Sequence, residues 1–278
     1  MGISENNADR KAGALDLSMF CRRKRPQIGS CFNMRSFGRR RMNVFIVGAA
    51  GAIGAALLER YLQNPMIERI VATHHLPMRS THDKLQWLTC DLRDEQAIAA
   101  CAEQIAAMEL PIHRWVCASG YLQGPLGGPE KSMRNIRSAK LHDDFAVNTI
   151  GPVLLFSAMA NKLKLVPGFK AAFLSAQVGS IEDNQLGGWF GYRMSKAALN
   201  MGIRCLAIEA GRWRNEPTIV AIHPGTTVSN LSKDFVKQRK APLQTAAHCA
   251  EKLDHLIEQL SAEGTGQFYR LDGSHLPW

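Results

Sequence analysis

The segment Tyr192-Arg193-Met194-Ser195-Lys196 sets a phenol and an amine four positions apart, and an α-helix brings such a pair to one face, one turn apart. A free phenol titrates near 10, so ionising it near neutrality takes a shift of about 3 units, or roughly 4 kcal/mol. An ammonium about 4 Å away at an effective dielectric near 20 supplies roughly that much, with burial of the phenol working against it. Tyr192 could then exchange a proton with a substrate oxygen while Lys196 lowers its pKa. The same pair on the outside of an amphipathic helix would do no chemistry, so the reading depends on what accompanies it.

What accompanies it is a glycine turn. The apolar run Val44-Phe45-Ile46-Val47 leads directly into Gly48-Ala49-Ala50-Gly51-Ala52-Ile53-Gly54 and then into Ala55-Ala56-Leu57-Leu58. Glycines let the chain reverse tightly between strand and helix, and they let backbone N–H groups approach a pyrophosphate at the positive end of the helix. The spacing is Gly-x-x-Gly-x-x-Gly, with Ala49 and Ala52 at positions where common dinucleotide-binding patterns have glycine. The pairing of this turn with the Tyr–Lys helix points to a dinucleotide cofactor, with Lys196 also placed to hold its ribose hydroxyls.

From Met42 onward, apolar runs of strand length alternate with longer stretches of helical period. Strands are expected at 43–47, 69–73, 86–89, 115–118, 170–175, 218–222 and 267–271, and helices near 52–63, 95–108, 141–164, 193–211 and 244–261. This pattern predicts an α/β fold: a Rossmann-type, doubly wound, parallel seven-stranded sheet forming a single domain over residues 42–278. The ligand crevice of such a sheet lies at the carboxyl ends of the strands, where the strand order reverses.

With these motifs in this order, residues 42–278 resemble the short-chain dehydrogenase/reductase family, and within it the C-factor-like and sniffer-like carbonyl reductases. Cys117-Ala118-Ser119-Gly120 stands where the family has Asn-Asn-Ala-Gly, a segment that passes the cofactor closely. Phe145-Ala146-Val147-Asn148-Thr149-Ile150-Gly151-Pro152 matches the family's Val-Asn-x-x-Gly segment, which implies that Asn148 supports a water-linked proton relay to Lys196. Asp91, followed by Leu92, resembles the acidic residue at the adenine edge. His223-Pro224-Gly225-Thr226-Thr227 resembles the loop that seats the nicotinamide amide. The resemblance thus implies a cofactor site formed by Gly48, Ala50, Gly51, Ile53, Gly54, His74, Asp91, Leu92, Ala118, Ser119, Gly120, Asn148, Tyr192, Lys196, Pro224, Gly225 and Thr227.

One position departs from the family. Where it has a catalytic serine in Ser-Ser-x-x-Gly, this chain reads Ser175-Ala176-Gln177-Val178-Gly179-Ser180, so the corresponding residue is Ala176. Losing one donor to a developing oxyanion weakens catalysis by about 3 kcal/mol, or around a hundredfold. Ser175 should face the other way if the strand continues, which leaves Ser180 as the expected replacement beside Tyr192, Lys196 and Asn148.

The end of the second strand, Ala72-Thr73-His74-His75, lacks the carboxylate that would accept the adenosine ribose of NAD. His74, His75 or Arg79 could favour a 2′-phosphate, so NADP is expected, with NAD possible. The expected reaction is hydride transfer between NAD(P)(H) and a small carbonyl or alcohol, with Tyr192 as proton donor or acceptor. The alternative is a dinucleotide-binding signalling or redox-sensing protein with little turnover, which Ala176 and the likeness to C-factor-type proteins prompt. Substrate shape should be set by 121–137 and 226–241, with Trp189 and Phe190 as an apolar wall.

Charge argues against a nucleic-acid function. Of the net +10, residues 1–41 contribute ten Lys/Arg against three Asp/Glu, and the remainder is close to balanced. That basic segment lacks hydrophobic periodicity and is expected to be a disordered extension. The seven cysteines contain no Cys-x-x-Cys pair, so neither a disulfide framework nor a metal site is indicated, and those of the folded part are expected to be reduced and buried. Without an apolar run of bilayer length or a signal-type start, the expected location is cytoplasmic, with no membrane partner. The resemblance implies a homodimer or homotetramer through the long helices.

Overall fold

In the computed structural model, the residues described are 41–78, 80–229, 231–232 and 243–278. The expectations for residues 1–40 and Arg79, and for most of the segment 226–241, lie outside them. Seven strands form one parallel sheet in the order β3-β2-β1-β4-β5-β6-β7: β1 Met42–Val47, β2 Ile67–His74, β3 Leu85–Thr89, β4 Arg114–Cys117, β5 Lys170–Leu174, β6 Thr218–His223 and β7 Phe268–Arg270. The order reverses between β1 and β4, which fixes the crevice at their carboxyl ends.

The central strands are continuous apolar runs because both faces are covered. Val44 and Ile46 of β1 join Val116, Ala172, Leu174, Val220 and Ile222 in the core under α1 (Ala52–Gln63) and α6 (Ala246–Gln259). Phe45 and Val47 join Trp115, Cys117, Phe173 and Ala221 under α2 (Glu95–Ala107), α4 (Gly151–Leu163) and α5 (Phe190–Ala210). Trp115 centres that second core, edge-on to Phe45 at 4.8 Å and to Phe156 at 5.3 Å.

The helix expected over 141–164 is divided. It runs as α3 (Ser138–Phe145), a π-helical turn (Ala146–Ile150) and then α4. Pro152 has no N–H to give the carbonyl of Asn148, four residues back, and its ring crowds that carbonyl, so the chain widens there. Gly151 lets the widened turn press on the β3–α2 connection, since a Cβ at Gly151 would stand 2.4 Å from the Leu92 carbonyl oxygen. Among the described cysteines Cys90, Cys101, Cys117 and Cys249 are buried free thiols as expected, whereas Cys205 is exposed.

Candidate active site

The turn after β1 is built by two of its glycines. Gly48 adopts φ +76° and lies so close to the β4 end that a Cβ would meet the Ser119 backbone at 2.9 Å. A Cβ on Gly54 would stand 2.4 Å from the Gly48 carbonyl oxygen, so only glycine lets α1 start this near β1. The N-terminus of α1 carries neither a side-chain cap nor an acidic residue in its first turn. Its unpaired N–H groups and positive dipole end are open to an anion.

A cleft of about 770 Å³ runs from this turn across the sheet ends. Ala50, Gly51 and Ile53 border it on one side, Ala118, Ser119 and Gly120 in the middle, and Tyr192, Lys196, Pro224, Gly225 and Thr227 beyond. Eleven positions expected at a cofactor therefore share one cavity, whose volume and lining suit a dinucleotide. Trp189 forms part of the wall with Gln177, Val178, Leu122 and Leu231, whereas Phe190 lies outside the lining.

Other expected positions stand elsewhere. Gly48 and Gly54 shape the turn without lining the cavity. Leu92 is buried beneath Gly151. The Asp91 carboxylate turns to its own loop, accepting from the Arg93 N–H at 3.0 Å, and Asp94 is the residue that caps α2. The His74 ring folds back on its own chain at Leu76 and stands 4.1 Å from the His75 ring. Burial, and then the neighbouring His74, lower the His75 pKa.

Asn148 is fully buried in the π-helical turn. Its Oδ1 accepts from the Tyr121 N–H at 2.8 Å, and its amide donates to the Tyr121 carbonyl at 2.8 Å and to Ser195 Oγ at 3.1 Å. Asn148 thus ties the stretch after β4 to α5, immediately beside Lys196.

On α5, Tyr192 and Lys196 are both buried, with the Lys196 Nζ 5.9 Å from the centre of the Tyr192 ring. The ammonium donates to the Leu174 carbonyl at 2.9 Å, and burial lowers its pKa to about 8. Burial, reinforced by the Asp144 carboxylate, pushes the Tyr192 phenol above its ordinary range. The direction is opposite to the expectation of a phenol lowered by its lysine: at this separation desolvation outweighs the ammonium.

The expected serine substitution is also corrected. Ser180 is buried outside the cleft lining, its Oγ donating to the Trp278 carbonyl at 3.1 Å and accepting from the Asp183 N–H at 3.1 Å. The hydroxyl is committed to the docking of the C-terminal residues. Ser175 borders the cleft, but its Oγ is turned to α5, where it donates to Asn200 at 2.6 Å. Ala176 lies in the lining with no hydroxyl to offer. Sequence reasoning did not find Glu130 and Asp144, two buried carboxyls under the start of α5. The Lys140-x-x-x-Asp144 spacing was the available signal, but it reads equally as a surface ion pair.

The chain belongs to the short-chain dehydrogenase family: the sequence model described as "short chain dehydrogenase" matches residues 42–240. Among curated relatives, the short-chain dehydrogenase srdF of Neurospora crassa is 28% identical over 263 residues, covering 84% of this chain and 97% of that protein. The 1-hydroxy-2-glutathionyl-2-methyl-3-butene dehydrogenase of Rhodococcus sp. (strain AD45) is 33% identical over 134 residues, which span 48% of this chain and about half, 56%, of that protein. Among solved structures, the carbonyl reductase Sniffer of D. melanogaster superposes with a TM-score of 0.73 at 23% identity, covering 86% of this chain and all of that one. A carbonyl reductase from Pseudomonas aeruginosa PAO1 gives a TM-score of 0.67 at 26% identity, covering 85% of this chain and 100% of that one. The likeness to the Drosophila enzyme is one of fold. The chain is thus an oxidoreductase of this family with a nicotinamide dinucleotide cofactor.

Proposed function

We propose that the protein reduces a small carbonyl compound, or oxidises the corresponding alcohol, with Tyr192 exchanging the proton at the substrate oxygen. The observation that carries this reading is the placing of Tyr192 and Lys196 in the same cleft as the glycine turn after β1 and the Pro224–Gly225 loop after β6. The cleft would hold NAD(P)H, which when bound would supply the hydride.

The protein's own residues supply the rest. Tyr192, held protonated by burial, is suited to giving its proton to a carbonyl oxygen as that oxygen gains charge. Lys196 is buried on the same helix face, where its ammonium stabilises the phenolate left behind, and it is placed to hold ribose hydroxyls. Asn148 orders the backbone around both and is the proposed support of the proton relay. The missing hydroxyl at Ala176 leaves the substrate oxygen one donor short, so the proposed enzyme is a slow one. A non-catalytic, dinucleotide-sensing role has Ala176 and the C-factor likeness in its favour, against the retained Tyr192, Lys196 and Asn148.

NADP is the proposed cofactor, because β2 ends in His74-His75 rather than in a carboxylate that would repel a 2′-phosphate. The low pKa of His75 reduces the charge available there, so this preference rests more on what is missing than on a built phosphate site. No described helix is long and apolar enough to cross a membrane. The five free thiols among the described residues suit a reducing compartment, and we propose a cytoplasmic location.

Turnover of a panel of aldehydes, ketones and quinones with NADPH and with NADH tests the reading. Tyr192→Phe is expected to abolish reduction while leaving dinucleotide affinity within a few-fold, because the phenol acts on substrate. A Tyr192→Phe variant that keeps more than a tenth of the rate removes Tyr192 from proton transfer.

A further inference from the structure

Beneath the first turn of α5 lies a pair of carboxyl groups that the scheme above does not use. Glu130, in the connection between β4 and α3, is 3% exposed, and Asp144 of α3 is 0% exposed. Glu130 grips the start of α5 twice: its backbone carbonyl accepts from the Trp189 N–H at 2.6 Å, and its Oε2 accepts from the Gly191 N–H at 3.1 Å. Trp189, the residue before the helix, is held in the left-handed region at φ 52° and provides no side-chain cap. A carboxylate at this end satisfies one orphan donor and faces the positive end of the helix dipole.

The remaining oxygens, Glu130 Oε1 and Asp144 Oδ2, are buried and have no hydrogen-bond partner among the described residues. Both converge on Gly191, where a Cβ would stand 2.0 Å from Asp144 Oδ2 and 3.2 Å from Glu130 Oε1. Two buried, unpartnered acceptors facing one glycine repel when both are charged, and one proton shared by the pair would relieve that repulsion.

We propose that Glu130 and Asp144 share one proton beneath the first turn of α5, and that Glu130, held by this pairing, is a positioning residue for Tyr192. The second half rests on the proton-transfer role given to Tyr192 above. The charged groups facing the pair agree with the first half. Lys140 of α3 donates to Asp144 Oδ1 at 2.5 Å. Asp143 pairs with Arg93 at 2.5 Å, yet its charge still adds to the rise at Asp144, and the phenols facing Asp144 are Tyr121 and, from α5, Tyr192. With the Lys140 ammonium present, one proton on two carboxyls leaves the buried cluster neutral. Burial raises Asp144 to about 6 against the pull of Lys140, with Glu130 adding to the rise.

Glu130→Gln separates the parts of this proposal. Glutamine keeps an oxygen for the Gly191 N–H and turns a permanent N–H donor to Asp144, whereas Glu130→Ala removes both contacts. The native Asp144 titrates above its unfolded value, so the native protein loses this stability as pH rises through about 6, and Glu130→Gln does not. The melting temperature of Glu130→Gln relative to native should therefore rise between pH 4 and pH 7, and a difference that stays flat or falls overturns the shared proton. With the best carbonyl substrate of the panel, Glu130→Gln should keep kcat within about threefold. Glu130→Ala should lose tenfold or more, with KM and NADPH affinity within twofold. Equal losses in the two variants, or none in either, overturn the positioning role. Should Glu130→Ala not fold, Glu130→Asp takes its place, being charged but too short to reach Gly191. If Tyr192→Phe proves active, the Tyr192 role fails on its own and the melting comparison still decides the shared proton.

Discussion

Gly179 lies against Lys196 so closely that a Cβ on the glycine would stand 2.7 Å from the lysine Cβ and 2.9 Å from its carbonyl carbon. The loop after β5 is thereby pressed onto the helix that carries both proposed catalytic groups, and backbone on both sides leaves little room to give. Gly179→Ala should displace one against the other and lower kcat about tenfold, equivalent to about 1.4 kcal/mol in the barrier. Steady-state kinetics together with a melting curve check this; unchanged kcat would show that the loop yields without moving Lys196.

Lys196 carries a stability signature as well as a chemical one. Its folded pKa, about 8, lies below its ordinary 10.5, so folding disfavours its protonated form. The sign follows: this penalty is fully present below pH 8 and is relieved as pH rises from 8 toward 10.5. Lys196→Met should abolish turnover and weaken dinucleotide binding, yet melt no lower than native at pH 6.5, with its advantage shrinking by pH 9.5. A variant that melts lower at pH 6.5 would show that the Leu174 hydrogen bond outweighs the buried charge.

The fold was legible because each strand is an apolar run whose neighbours in sequence have helical period, and both properties are local. Every expected strand formed within a few residues of its place. The break at Ala146–Ile150 was not read, although Pro152 was in view, because the periodicity of 141–164 continues through it. Side-chain direction was harder still. Ser180 looked available from its spacing alone, and only the docked C-terminal residues, nearly a hundred positions away, claim its hydroxyl. Glu130 and Asp144 were illegible for the same reason: nothing local tells that a Pro-Glu in a connection and an aspartate on a short helix meet under Gly191.

Because Ser180 is bound to Trp278 and Asp183, Ser180→Ala should leave kcat within about threefold and instead lower the melting temperature, on the scale of about 1–3 kcal/mol for an orphaned buried partner. Ala176→Ser restores a hydroxyl in the cleft lining and should raise kcat tenfold or more without changing dinucleotide affinity. A native enzyme already fast, and indifferent to Ala176→Ser, would mean that backbone or water serves the substrate oxygen. A near-zero native rate that rises sharply in Ala176→Ser would favour the sensing role.

Met194, Met201 and Ile208 follow one another at seven-residue intervals along α5 and are 47%, 64% and 57% exposed, while Tyr192, Lys196, Leu199 and Ile203 of the same helix are buried. Seven residues are two helical turns, so the three form one apolar stripe on the side away from the core. A self-complementary contact about a two-fold axis would cover such a stripe on both copies at once. The native protein should therefore sediment as a dimer or tetramer at micromolar concentration. Met201→Glu places a charge at the centre of the stripe and should shift the mass down at least one step, with the far-ultraviolet circular dichroism and the cleft unchanged. A native protein that is monomeric across the accessible concentration range, or an unshifted Met201→Glu, would show that α5 is not the surface through which copies meet.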